Sequence, residues 1–400
     1  MHWSCAAIWR VAQARCLIFD RKVKDFTAAT QISIDPLHRS GLNLPRSDRD
    51  LTATGLPEQQ AAAMTNRETF MTLMHKFLGA SAALALMAGV AAADPALIYD
   101  LGGKFDKSFN EAAFNGATRW ATETGGTFKD LEMQSEAQRE QALRTLADAG
   151  FNPIVMTGFA FGDVLTQVAP DYPDTKFGII DVDWLDLPNV TQIAFTEHEG
   201  SYLVGMMAAM ASKTGTVGFV GGMDIPLIRR FECGYAQGVK AVNPDAVVLQ
   251  NMTGTTPAAW NDPVKGGELA KAQIAQKADV IYAAAGGTGL GVLQAAADGG
   301  ILSIGVDSNQ NYLHPGQVLT SMLKRVDVAV FDLFTAGADL KPGVQRKDLA
   351  AEGVGYAMDD NNAALVTPEM KAAVDAAAAK IISGEIKVHD YTSDNTCPVM

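Results

Sequence analysis

Cysteine and histidine are scarce in this chain of 400 residues, at four and six. Beyond residue 93 only Cys233, Cys397, His198, His314 and His389 remain, and none has the C-x-x-C or i,i+4 company of a metal site. Basic charge is short as well: 32 Lys and Arg stand against 45 Asp and Glu, and a net charge of −13 is repelled by a phosphate backbone. Nucleic acid is therefore not an expected partner. No uncharged apolar run reaches the roughly 18 residues of a membrane span, which excludes a polytopic membrane protein. Repeats at a period of about 20 to 50 residues are missing too, which argues against a solenoid. Nucleophile motifs such as G-x-S-x-G are absent, and so is S-x-x-K with its supporting motifs, so covalent catalysis has no support.

What remains is a chain of 48% hydrophobic residues in which Ala- and Gly-rich stretches alternate with short apolar runs. Its first part stands apart. No sustained period runs from Met1 to about Thr65, and residues 1–70 are read as a non-native N-terminal extension. Then the short basic region Met71–Lys76 precedes an apolar run from Phe77 to Val90 and the triplet Ala91–Ala93 before Asp94, so residues 71–93 read as a cleavable secretory signal. The alternative is a buried helix of a cytosolic domain. A signal belongs at the true N-terminus, which points to Met64 or Met71 as the start. Removing 1–93 takes away 10 basic and 7 acidic residues and leaves 22 against 38, a net charge of −16. Without a Cys after the apolar run, the expected product is soluble in the periplasm of a Gram-negative cell. Cys233 and Cys397 are then an even pair in an oxidising compartment, a candidate disulfide tying the C-terminal tail to the body. Two unrelated buried thiols are the alternative.

Strand, loop and helix patterns follow one another from Ala96. Strands are expected at 96–101, 153–157, 176–182 and 190–195, with helices at 109–124, 135–149, 161–169 and 199–212. After Gly215 the pattern restarts, with strands at 217–220, 246–252, 279–284, 302–306 and 318–322 and helices at 228–242, 264–276, 289–297, 326–336 and 368–382. Such units build parallel sheets covered on both faces, and there are too many strands for one sheet. The expected fold is α/β, with two Rossmann-like lobes joined by crossing segments. One lobe comprises 94–195 plus 320–345, the other 196–319 plus 346–400, and hinges are expected near Phe195 and at 318–321.

Ligands of open parallel sheets sit beyond the carboxyl ends of the strands. Asp100, Asp181 and Asp307 each end a strand here, and a carboxylate so placed can accept hydrogen bonds from two hydroxyls of a polyol or ribose. The other reading is that each caps a helix or starts a turn. Lys324 lies in an apolar stretch, where it either neutralises the cleft or is solvated. Phe109 and Trp260 lie in loops and either sandwich a planar ring or pack on their own lobe; Phe159 and Phe161 are weaker candidates. The run Gly286–Gly291 opens a helix after a strand, but Val292 stands where a dinucleotide fingerprint needs its last glycine. No cofactor is expected.

The segments Gly103-Lys-Phe-Asp-Lys-Ser-Phe-Asn110, Glu199-Gly-Ser-Tyr-Leu-Val-Gly205, Val217-Gly-Phe-Val-Gly-Gly222, Gly305-Val-Asp-Ser-Asn-Gln310 and Ser321-Met-Leu-Lys324 resemble the basic membrane protein family of ABC transporter substrate-binding proteins, of the purine nucleoside receptor type. The resemblance covers nearly all of 94–400. It implies a type I periplasmic-binding fold, a monomer, that closes on a nucleoside and delivers it to an ABC permease in the inner membrane. By resemblance, Phe109 and Trp260 flank the base, Asp307 and Lys324 bind the ribose, and Asp100, Asn110, Asp181 and Gly287 add polar contacts. Trp260 departs from the phenylalanine of the family pattern, and Asp183 is an alternative to Asp181. Two other readings are a periplasmic sensor for another heteroaromatic or sugar-like ligand, which signals to a receptor kinase, and a nucleoside hydrolase, which would turn its ligand over.

Overall fold

A computed structural model describes residues 93–400. The extension 1–70 and, but for Ala93, the signal segment 71–93 lie outside the described residues. The chain runs through β1 (Ala96–Tyr99), α1 (Phe109–Thr124), β2 (Lys129–Glu132), α2 (Arg139–Asp148), β3 (Ile154–Met156), α3 (Gly162–Val168), β4 (Phe177–Ile180) and β5 (Val190–Phe195). It continues through α4 (Glu197–Ala211), β6 (Thr216–Met223), α5 (Pro226–Val242), β7 (Val247–Gly254), α6 (Pro263–Ala275), β8 (Val280–Ala284), α7 (Gly289–Asp298), β9 (Leu302–Asp307) and β10 (Val318–Lys324). The last elements are α8 (Val326–Ala336), β11 (Gly343–Lys347), β12 (Val354–Tyr356) and α9 (Pro368–Ile382).

The strands form two six-stranded sheets, ordered β11-β5-β4-β3-β1-β2 and β12-β10-β9-β8-β6-β7. All neighbours are parallel except β12, which pairs antiparallel with β10. Successive residues of a strand point to opposite faces, so a doubly covered strand must be apolar throughout. In β1, Ala96 and Ile98 enter one buried cluster while Leu97 and Tyr99 enter another, and all four are fully buried. The three strands absent from the sequence reading, β2, β11 and β12, are all sheet edges. Lys-Asp-Leu-Glu and Gly-Val-Gln-Arg-Lys carry no apolar alternation because β2 and β11 face solvent.

One expected boundary is corrected. Residues 320–324 belong to β10, in the second sheet, where Ser321 aligns with Gly305 and Leu323 with Asp307 of β9. The chain returns to the first lobe only after Lys324, where α8 packs on α1 so closely that a Cβ on Gly116 would lie 2.1 Å from the Asp327 carbonyl oxygen. Strand β11 keeps it there through Lys347. Three crossings therefore join the lobes, at 195–197, 324–326 and 347–349, and 318–321 is sheet interior rather than hinge. An apolar run on a central strand looks the same in sequence whichever sheet it enters.

Helices α4 and α5 meet backbone to backbone. A Cβ on Gly205 would lie 2.2 Å from the Tyr235 carbonyl oxygen, and one on Gly238 2.0 Å from that of Tyr202. On α5, the buried Cys233 is disulfide-bonded to Cys397, with Cα atoms 5.6 Å apart.

Candidate ligand-binding cleft

In both sheets the carboxyl ends of the strands open on one cleft of about 620 Å³, its open mouth included. Asp100, Phe109, Asn110, Asp181, Trp260, Asp307 and Lys324 all line it. Gly287 does not: it lies one residue behind the lining residue Gly286, against Trp260 and Asn261. Strands β4 and β9 hold the same position in their sheets, and each leads into an aspartate with positive φ, Asp181 at 68° and Asp307 at 63°. Aspartate is among the few non-glycine residues that enter this region readily, and here the turn aims each carboxylate into the cleft.

Between these aspartates lies the ammonium of Lys324, only 2% exposed. Its Nζ is 2.7 Å from Asp181 Oδ1 and 2.9 Å from Glu197 Oε1, and the rings of Phe109, Phe195 and Phe231 surround it at 5.2 to 5.5 Å from their centroids. Burial alone would lower the lysine pKa, but the charges of Asp181, Glu197 and Asp307 outweigh it and hold the ammonium protonated. Three carboxylates thus share one cation. Burial pushes the Asp181 and Asp307 carboxyls up to about 6, with Lys324 opposing. Glu197, equally buried, is held below its ordinary value because Arg230 faces it as well as Lys324. The Asp307 carboxylate also accepts a hydrogen bond from Ser108 Oγ, across the cleft from the first lobe.

Asp106 organises the start of α1. Its carboxylate accepts from the backbone N–H of Ser108, Asn110 and Glu111 at 2.8 to 3.1 Å, which closes the helix N-terminus and sets Phe109 on the cleft wall. Asn110 lines the cleft, but its amide is already used: Nδ2 donates to the carbonyls of Asp100 and Gly103, and Oδ1 accepts from Thr157. It shapes the loop after β1. Asp100 accepts from Arg139 and from its neighbour's backbone N–H, and its Oδ2 lies at Gly158, where a Cβ would come within 2.7 Å. Trp260 enters because glycines make room for it: a Cβ on Gly222 would lie 2.1 Å from its Cζ3, and those on Gly102 and Gly286 would also touch the residue.

The remaining candidates separate on position. Asp183 is paired at the surface with Arg346, so Asp181 is the aspartate in the cleft. Phe159 lines the cleft, whereas Phe161 is fully buried in the first lobe's core, under Arg139. The glycine run 286–291 serves packing: a Cβ on Gly291 would lie 1.8 Å from the Pro263 carbonyl oxygen of α6. Sequence reasoning did not single out Asp106, Glu197, Arg230 or Phe231. Asp106 lay inside a quoted segment, but Arg230 and Phe231 sit in a helix whose apolar spacing reads as ordinary core. Among the described residues no three His, Cys, Asp or Glu side chains group as metal ligands do, and no helix is long and apolar enough to cross a membrane.

Residues 96–392 match the family described as ABC transporter substrate-binding protein PnrA-like. The chain is 33% identical over 320 residues to the ABC transporter nucleoside-binding protein BmpA of Lactococcus lactis subsp. cremoris, covering 73% of this chain and 88% of that protein. It is 35% identical over 319 residues to the CD4+ T-cell-stimulating antigen of Listeria monocytogenes, covering 73% and 87%. A crystal structure of an ABC transporter solute-binding protein from Aeropyrum pernix K1 superposes with a TM-score of 0.69 at 28% identity, covering 74% of this chain and 93% of that one.

Proposed function

The chain belongs to the PnrA-like family of ABC transporter substrate-binding proteins, and from that premise we propose that it captures a nucleoside, purine nucleosides first, between its lobes in the periplasm and hands it to an ABC permease of the inner membrane. The observation that carries the reading is the joint placement of two aromatic side chains and a carboxylate–ammonium cluster on one cleft. Phe109 and Trp260 take the base, and stacking is worth about 1–3 kcal/mol per base. Asp307 and Lys324 take the ribose, with Asp181 holding the ammonium in place. Asp100 offers Oδ2 to an N–H of the base edge. Asn110 and Gly287 act through the loops they shape. The basic, apolar and small-residue order of 71–93 supports export, and the nucleoside-binding relative supports the cargo.

Catalysis has no part in this reading. Capture needs only closure of the lobes, with the crossings at 195–197, 324–326 and 347–349 absorbing the rotation. Titration calorimetry with adenosine, inosine and guanosine tests the ribose contact. Asp307→Ala is expected to weaken binding at least about tenfold, since a charge-assisted hydrogen bond contributes roughly 1.5–3 kcal/mol. Undiminished affinity in that variant would remove Asp307 from the site.

A further inference from the structure

We propose that the C-terminal tail is a strap that positions the cleft's lysine, through the charge chain Asp390–Arg230–Glu197–Lys324, which runs from the half-buried tail carboxylate to the buried ammonium. Arg230, 7% exposed, uses all five of its guanidinium N–H groups. Nε and Nη2 grip the Asp390 carboxylate at 2.8 and 3.1 Å, and Nη2 also donates to Thr392. Nη1 donates to Glu197 Oε2 and to the Phe195 carbonyl, both at 3.0 Å. The other oxygen of Glu197 faces Lys324. One guanidinium thus joins the tail, a hinge crossing and the carboxylate that holds the cleft's cation.

The tail is fastened to the helix that carries Arg230. Cys397 is bonded to Cys233, one turn along α5. One turn further, the Gln237 amide pairs with the His389 backbone in both directions, at 2.8 and 2.9 Å. The disulfide alone would tether the tail; the Gln237 and Arg230 contacts fix its orientation and so the side of Arg230 that Asp390 occupies. Glu197 and Lys324 are almost wholly buried, so each feels its neighbours through a medium that screens little. Neutralising Asp390 leaves Arg230 with Glu197 as its only carboxylate, which draws Glu197 away from Lys324 and turns the ammonium toward Asp181. Asp390 and Arg230 are positioning residues; neither lines the 620 Å³ cleft.

The inference rests on the binding role of Lys324 under Proposed function, and its test separates the two. Lysine ammonium resonances are recorded in the ¹⁵N-labelled full chain, that of Lys324 being identified by its loss in Lys324→Met. A protected Lys324 signal is expected. It should shift and exchange faster with water in Asp390→Asn, and also in Cys397→Ser or on reduction of the disulfide, while Asp375→Asn, at the exposed pair with Lys371, leaves it in place. In parallel, adenosine affinity should fall at least about threefold in Asp390→Asn and return in Asp390→Glu. A strap that only stabilises the fold would lower the unfolding temperature and leave the resonance and the affinity alone. Either an unprotected Lys324 ammonium in the unaltered protein or a resonance unmoved by Asp390→Asn overturns the inference. An unaltered protein that binds no nucleoside overturns the cargo reading, and the resonance still decides the strap.

Discussion

Lys324 is the residue on which the cleft's charge balance turns, because one ammonium faces Asp181, Glu197 and Asp307. The folded carboxyls of Asp181, Asp307 and Asp106 lie near 6, above their ordinary 3.8, with burial the leading cause in each. A raised carboxyl means that the folded state binds protons the unfolded state has released. These groups therefore add stability below about 4 that is lost as pH rises through about 6. Glu197 and Asp390, held below their ordinary values, act in the opposite sense only at lower pH, and His198, whose pKa burial lowers, is one opposing group in this window against the three carboxyls. The ligand-free protein is expected to melt at a higher temperature at pH 5 than at pH 7.5, and Asp307→Asn should flatten that difference; a melting temperature that falls steadily from pH 7.5 to 5 contradicts the assignment. Lys324→Met leaves the buried carboxylates without their shared cation, at a cost of about 3–5 kcal/mol near neutral pH. Urea titrations at two pH values should show part of that loss recovered at pH 5, where the carboxyls are protonated. Asp100, Asp181 and Asp307 were legible in the sequence because each ends an apolar run. Glu197 and Arg230 were not, since their partners lie 127 positions away at Lys324 and 160 at Asp390.

At the scale of elements, glycine decides what packs on what. The α4–α5 contact admits no methyl group where Gly238 meets the Tyr202 carbonyl, so Gly238→Ala should destabilise the fold by about 1–3 kcal/mol. Gly222→Ala meets the Trp260 ring instead, and its expected effect is a displaced tryptophan: weaker nucleoside binding and altered Trp fluorescence at nearly unchanged melting temperature. Calorimetry and fluorescence on both variants separate the two outcomes. The central strands and the helices around them were legible from apolar runs and turn residues. Strands β2 and β11 were not, because an edge strand exposed to water has no need of an apolar pattern, and β12, with Val354 buried, is only three residues long, too short to show one. The quoted segments Glu199–Gly205 and Val217–Gly222 turn out to hold Gly205 of the α4–α5 contact and Gly222 beneath the Trp260 ring, whereas Gly238 lies outside them.

Over the whole molecule, the two sheets face each other across the cleft and a small set of bonds spans it. Ser308 Oγ donates to the Ser108 carbonyl and Gln310 Nε2 to that of Lys107, both at 3.0 Å, while Ser108 Oγ reaches Asp307 and Lys324 reaches Asp181. All four must break when the lobes separate. Small-angle scattering should therefore give a smaller radius of gyration with bound nucleoside than without it, and Asp181→Asn should narrow the difference by weakening the closed form. The central claim is that the aromatic pair and the charged cluster act on one ligand. Thermal unfolding of protein stripped of carried-over ligand, against nucleosides, free bases, ribose and other sugars, tests it most directly. Ligand at 100 times its dissociation constant adds about 2.7 kcal/mol to folded-state stability. The account predicts a higher unfolding temperature with nucleosides and none of comparable size with bases or ribose alone. A response to free sugars alone, with nucleosides silent, would contradict it.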